Sequence, residues 1–126
     1  MGSIAVGERN KMLDALAGRS SYTASAAVYV KLHLGDPGAA GTSNAAAETT
    51  RQAVTFGSGA ATGSIANTAQ VQWTALAATE TISWVSLWTA SSGGTFLGSD
   101  DLAAAQNVNS GGTLTIATSA LTLTLT

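Results

Sequence analysis

Val28-Tyr29-Val30-Lys31-Leu32-His33-Leu34 alternates apolar side chains with polar or amphipathic ones at every step. Successive side chains of an extended chain point to opposite faces, so this alternation reads as a half-buried strand. It stops at Gly35-Asp36-Pro37-Gly38, a turn sequence holding the chain's single proline, and a loop rich in Ala and Gly follows to Glu48. Beyond it the pattern of short strands and turns runs to the end. Strands are expected over Thr50 to Phe56, Ser64 to Ala66, Ala69 to Trp73, Thr81 to Thr89, Thr95 to Leu97, Gln106 to Asn109, Thr113 to Thr118 and Leu121 to Thr126. Glycine marks the joints at Gly57, Gly59 and Gly63, at Gly93-Gly94, and at Gly111-Gly112.

Upstream, one helix is legible. Asn10 offers an N-cap oxygen, Met12, Leu13, Leu16 and Ala17 fall on one side at helical spacing, and Gly18 supplies a stop; a start near Val6 fits as well. A polar joint from Arg19 to Ser25 separates this helix from the first long strand. The expected organisation is therefore an N-terminal helical segment and joint over residues 1–25, then a single β domain over 26–126. Many short strands with no helix pattern between them make that domain an antiparallel β-sandwich or jelly-roll-like fold.

Composition narrows the function classes. Of 126 residues, 25 are Ala, 18 Thr, 14 Ser and 14 Gly, and 12 carry formal charge, 5 positive and 7 negative. The charged share of 10% is far below the roughly 25% of an ordinary soluble domain. All five cations, Arg9, Lys11, Arg19, Lys31 and Arg51, lie in the first 51 residues, so no basic stripe for nucleic acid can form on the rest. With 45% apolar residues and a net charge of −2 the chain is expected to fold. The absence of Cys removes disulfides, thiolate metal sites and cysteine nucleophiles. No apolar run approaches the roughly 20 residues of a membrane helix, and the N-terminus lacks the basic start and apolar core of a secretion signal. No membrane partner is expected.

Candidate chemistry is sparse. His33, the single histidine, alternates with the apolar side of its strand and is expected to face solvent or an interface. A serine triad would also need a buried Asp and an activated Ser, and no G-x-S-x-G elbow occurs. Asp100-Asp101 is the one adjacent acidic pair, read as a solvated turn, since the spaced acids of a calcium loop are missing. Glycoside hydrolysis would need two cooperating carboxylates from Glu48, Glu80, Asp100 and Asp101. The run Gly57-Ser-Gly-Ala-Ala-Thr-Gly63 lacks the Gly-Lys-Ser/Thr ending of a phosphate loop and reads as a hairpin connection. Trp73, Trp84 and Trp88 at period-two spacing read as core, with a sugar platform as the functional alternative. No cofactor is implied.

Two strands point to contacts beyond the fold. In Thr81 to Thr89, Ile82, Trp84 and Trp88 share one face while Val85 and Leu87 take the other, so a second apolar face must be covered by the helix or by another subunit. The uncharged Ala-Leu-Thr-Leu-Thr-Leu-Thr terminus would aggregate as an open edge and must be paired. Trp84, Trp88, Leu121, Leu123 and Leu125 are accordingly the candidate subunit interface of a dimer or trimer.

Tyr29-Val-Lys-Leu-His-Leu-Gly-Asp-Pro-Gly-Ala-Ala-Gly-Thr-Ser-Asn44, Arg51-Gln-Ala-Val-Thr-Phe56, Ile65-Ala-Asn-Thr68, Ile82 to Trp88, Ser92 to Gly98 and Val108 to Ile116 together resemble a family of small tailed-phage virion proteins, often from phages of actinobacteria. The resemblance spans roughly residues 10–126. Members are labelled head decoration, minor tail or tail fibre protein, and no motif is catalytic. The resemblance implies a non-enzymatic virion component, assembled in the host cytoplasm. Size and the lack of shaft repeats favour a capsid decoration protein bound to the major capsid protein; a minor tail or tail fibre protein with a host-surface or glycan-binding role is the alternative. Arg9, Lys11 and Arg19, with Met12, Leu13 and Leu16, are the expected attachment residues, pairing steering charge with apolar contact.

Overall fold

The computed structural model describes residues 3–57 and 63–124. In chain order it contains β1 (Ser3–Ile4), α1 (Val6–Leu16), β2 (Val28–His33), β3 (Gln52–Val54), β4 (Ser64–Ala66), β5 (Val71–Trp73), β6 (Glu80–Trp88), β7 (Phe96–Val108), β8 (Leu114–Ile116) and β9 (Thr122–Thr124). A five-stranded sheet has the order β1-β7-β6-β2-β3, and two two-stranded sheets pair β4 with β9 and β5 with β8. Every pairing is antiparallel. The fold is mainly β, a sandwich with one short N-terminal helix, as the sequence patterning implies.

The core lies on the face of the large sheet that carries Val30 and Leu32 from β2 and Ile82, Val85 and Leu87 from β6. It is closed by Val71 and Trp73 of β5, Leu114 and Ile116 of β8, and Leu121 just ahead of β9. Simple alternation puts Ile82 opposite Val85, yet all three β6 residues share this core. The register explains it: Ile82 pairs with Gln106 but Trp84 with Asp101, so an irregularity between them shifts the phase. A bulge of this kind returns an apolar residue to the core face.

Strand β7 is 13 residues long, Phe96–Val108, and joins most of the expected Thr95 to Leu97 and Gln106 to Asn109 strands into one. Asp100 and Asp101 therefore lie within a strand, not in a turn. Asp100, opposite Val85, is buried at 4% exposure, while Asp101 lies opposite Trp84 on the other face. Gly98 serves the strand pairing for a physical reason. It allows β1 to pass close by, and a Cβ at this position would run into the Ser3 backbone.

Part of the second face of the large sheet, around His33, Ser86 and Trp88, is covered by the chain itself, whereas Tyr29, Lys31 and Trp84 stay half-buried. Residues 44–46 pair along the edge of β2, Leu34 N–H donating to Asn44 O and Ala46 N–H to Leu32 O, while the preceding turn, in which Ser43 N–H donates to Pro37 O, brings Gly41 against Phe96. The Asp36 carboxylate accepts from Gly38 N–H at 2.9 Å, capping the turn as its sequence suggests. Beneath this loop His33 is fully buried, which corrects the expectation that it faces solvent or an interface. Helix α1 does not cover this face. It begins at Val6 with Ala5 as an N-cap that makes no side-chain hydrogen bond, so Asn10 is an interior residue and not the cap. It ends at Leu16, and Gly18 follows with φ 74°.

Candidate functional site

Strand pairing brings His33, Ser86 and Trp88 together. His33 Nδ1 donates to Ser43 O at 2.8 Å, which fixes the tautomer so that Nε2 accepts from Ser86 Oγ at 2.7 Å. Ser86 Oγ in turn accepts from Trp88 Nε1 at 2.7 Å. The dyad resembles the first two members of a catalytic triad, with a backbone carbonyl where an Asp would stand. Both His33 and Ser86 are 0% exposed, so no substrate reaches them in this conformation. Burial depresses the imidazole pKa, although the Ser43 carbonyl opposes that shift.

The carboxylates are tethers. Glu80 accepts from Ala47 N–H at 3.0 Å and from Glu48 N–H at 3.4 Å, and Glu48 accepts from Ala77 N–H at 3.1 Å. These bonds tie the 46–48 segment to the 77–80 turn. Asp100 is held above the ordinary carboxylate range by burial, and one of its oxygens accepts from Thr122 N–H at 3.3 Å. Adjacent Asp100 and Asp101 point to opposite faces of β7 and do not form a pair on one substrate. Among the described residues no three His, Asp or Glu side chains cluster as a metal site.

The tryptophans divide by environment. Trp73 is 1% exposed and donates to Thr50 O at 2.8 Å. Trp88 is enclosed by the Arg51 guanidinium 4.2 Å from its ring centroid and by Phe96 at 5.5 Å. Arg51 also donates to Ala90 O and Gly93 O, at 2.9 and 2.6 Å, fixing the turn before β7. Trp84 alone of the three is half-buried, beside His33 and Asp101 on neighbouring strands.

Helix α1 carries three of the exposed large apolar side chains among the described residues. Val6, Leu13 and Leu16 are 57%, 61% and 85% exposed. Its inner side holds Glu8, which accepts from Lys11 Nζ at 2.7 Å and from Tyr22 Oη at 2.6 Å. Those two bonds lower the Glu8 pKa, Lys11 contributing most, while burial and the Glu8 bond push Tyr22 up to about 12. Met12, with Ile4, Ile65, Leu97 and Leu123, lines an apolar cavity of about 230 Å³ under the helix.

Residues 4–124 match the family described as podophage GP4 fiber I protein gp80. The chain belongs to this family. The match supports a tailed-phage virion protein and favours a fibre role over capsid decoration. No curated protein matches the chain. Among the described residues no helix is long and apolar enough to cross a membrane.

Within this fiber I family chain, the sequence-derived candidates separate. Of the attachment set, Arg9, Lys11, Leu13, Leu16 and Arg19 lie outward, whereas Met12 turns toward the cavity. Of the interface set, Leu121 is 0% exposed and Trp88 8%, so their side chains belong to the chain's own packing. Leu123 packs against the core, its strand pairs with β4 in the same chain, and Leu125 lies outside the described residues. Sequence reasoning missed the Glu8–Tyr22 tie and the buried Asn67, neither of which carries a local motif.

Proposed function

We propose that this chain is a non-enzymatic structural component of a phage tail fibre rather than a decoration of the capsid lattice. The observation that carries the reading is the family match across residues 4–124. The architecture is compatible with it: the reactive groups are enclosed or engaged in backbone tethers, and the exposed apolar surface is concentrated on α1. A fibre component contributes shape and contact surfaces, and a closed sandwich with an outward helix provides both.

Stoichiometry in purified virions tests this. A fibre protein is present in few copies per particle relative to the major capsid protein, and antibody labelling falls on the tail. Hundreds of copies with label spread over the head would instead establish capsid decoration, with the major capsid protein as partner.

A further inference from the structure

We infer that the cleft between the first turn of α1 and the 36–39 turn binds a small zwitterion, an α-amino acid group whose carboxylate meets Arg9 and whose ammonium meets Asp36. These two side chains line one cleft of about 260 Å³, Arg9 from the helix and Asp36 from the turn. Both are exposed, and no ion pair joins them; the charges paired among the described residues are Lys11 with Glu8 and Arg19 with Asp14. Asp36 uses Oδ1 to accept from Gly38 N–H at 2.9 Å, which leaves Oδ2 for a ligand. The volume falls below the roughly 300–1,000 Å³ of drug-sized sites, so the occupant is small.

A buried hydroxyl supplies an independent observation. Ser99 is 4% exposed and lines the same cleft. No described residue partners its Oγ, because Ser86, directly opposite on β6, is already engaged by His33 and Trp88. A hydroxyl withdrawn from water gains more from a ligand's oxygen than an exposed one does. The adjoining end of α1 favours the same charge: Val6 lines the cleft, and Ala5 caps the helix without a side-chain hydrogen bond. Charge then selects the occupant. A plain anion meets Asp36, a plain cation meets Arg9, and an uncharged sugar returns little for desolvating either, whereas a molecule with both charges satisfies both walls. Phe96 keeps one side of the cleft apolar, which suits a short aliphatic side chain. The site stands on these residues alone and does not depend on where in the virion the chain is placed.

Titration of the isotope-labelled full chain with alanine, read by backbone amide shifts, tests the proposal. The expected result is saturable shifts at Val6, Gly38 and Ser99 with a Kd on the order of millimolar. N-acetylalanine and alaninamide, which carry one charge each, should bind about tenfold more weakly. Arg9→Gln and Asp36→Asn should each weaken alanine about tenfold and move selectivity in opposite directions, Asp36→Asn improving N-acetylalanine and Arg9→Gln improving alaninamide. Both variants alter exposed groups, and Asn keeps the acceptor for Gly38 N–H, so melting should stay near that of the parent. Ser99→Ala should weaken alanine about threefold with melting unchanged, since the hydroxyl has no partner to lose. Nε-acetyl-lysine separates the sources: binding admits an amino acid end displayed on a polymer, no binding restricts the cleft to free amino acids, and either upholds the zwitterion site. No shifts at these amides up to about 50 mM alanine overturn the inference. So do equal binding of a singly charged analogue, unchanged binding in both charge variants, and glucose binding where alanine does not. A stability coupling between Arg9 and Asp36 without ligand overturns it too, by showing that the two side chains pair with each other.

Discussion

His33 Nε2 and Ser86 Oγ lie 2.7 Å apart across two neighbouring strands, fully enclosed, in a relay that runs from Trp88 through Ser86 and His33 to Ser43 O. Trp88 Nε1 donates, Ser86 Oγ and His33 each accept once and donate once, and Ser43 O accepts, an arrangement that a neutral imidazole satisfies. A protonated ring would donate at both nitrogens and leave the Ser86 hydroxyl hydrogen without its acceptor.

The consequence is an acid-sensitive fold. The imidazole pKa is depressed below its ordinary 6.5, so above 6.5 both folded and unfolded chains hold it neutral and its contribution is complete. As pH falls below 6.5 the unfolded chain takes up the proton first, and stability is lost until the lower folded pKa is passed. Urea unfolding at pH 7.5 and 5 should give a lower midpoint in acid. Since there is one histidine, His33→Gln should remove that difference. An unchanged slope in the variant would assign the effect to carboxylates.

Gly41 tests the loop that covers His33. It has φ 73°, and a Cβ there would collide with the Phe96 ring, which itself packs on Trp88. Gly41→Ala therefore combines backbone strain with a steric clash and should cost about 1–3 kcal/mol. Thermal melting reads the loss, and Trp fluorescence should shift as Phe96 is displaced.

The alternation in Val28 to Leu34, the turn at Asp36 and the glycine stop at Gly18 were legible because each rests on local geometry. The burial of His33 was not, because alternation says which face a residue takes and nothing about what covers that face. The cover comes from residues 35–46, whose Ala and Gly composition looked like an open loop. The Asp100-Asp101 pair suggested a solvated turn, yet pairing with β6 places it within a strand and buries Asp100. The apolar side expected from Met12, Leu13, Leu16 and Ala17 is split, because α1 docks through Glu8 and Met12 and leaves Leu13 and Leu16 exposed. A buried Glu beside an exposed Leu reverses the usual reading of an amphipathic helix.

Tyr22 provides a spectroscopic check on that orientation. Its phenol donates to Glu8, and its pKa stands at about 12 against an ordinary 10. The stability tied to this group is complete below pH 10 and is lost as pH rises from 10 through about 12. In an ultraviolet titration, subtracting the Tyr22→Phe curve from the parent curve should leave one transition near pH 12. A difference transition near 10 would mean that α1 does not dock on Tyr22.

Asn67 carries the last prediction, because it ties the C-terminal segment to the core with both ends of its amide. Nδ2 donates to Ala69 O at 2.8 Å and Ala117 O at 3.0 Å, and Oδ1 accepts from Leu121 N–H at 2.9 Å. Its backbone adds Asn67 N–H to Leu121 O and Ser119 N–H to Asn67 O. At 1% exposure, water cannot replace these partners. Asn67→Leu keeps the volume and strands three backbone groups, at about 1–3 kcal/mol each before relaxation, a large part of a small domain's 5–15 kcal/mol. Asn67→Asp keeps the bond from Leu121 N–H but sets a carboxylate against two carbonyl oxygens. Protonation would turn one oxygen into a donor, and the two carbonyls hold this carboxyl above its ordinary pKa, so the variant should regain stability relative to Asn67→Leu as pH falls toward the ordinary carboxylate pKa, the gain being complete below it. Truncation ahead of Leu121 removes a fully buried leucine and the β9 pairing, and should leave the chain insoluble or unfolded. Urea midpoints for both substitutions and the soluble yield of the truncated chain measure this. Unchanged midpoints together with a folded truncated chain would show that the sandwich does not depend on its C-terminal clamp.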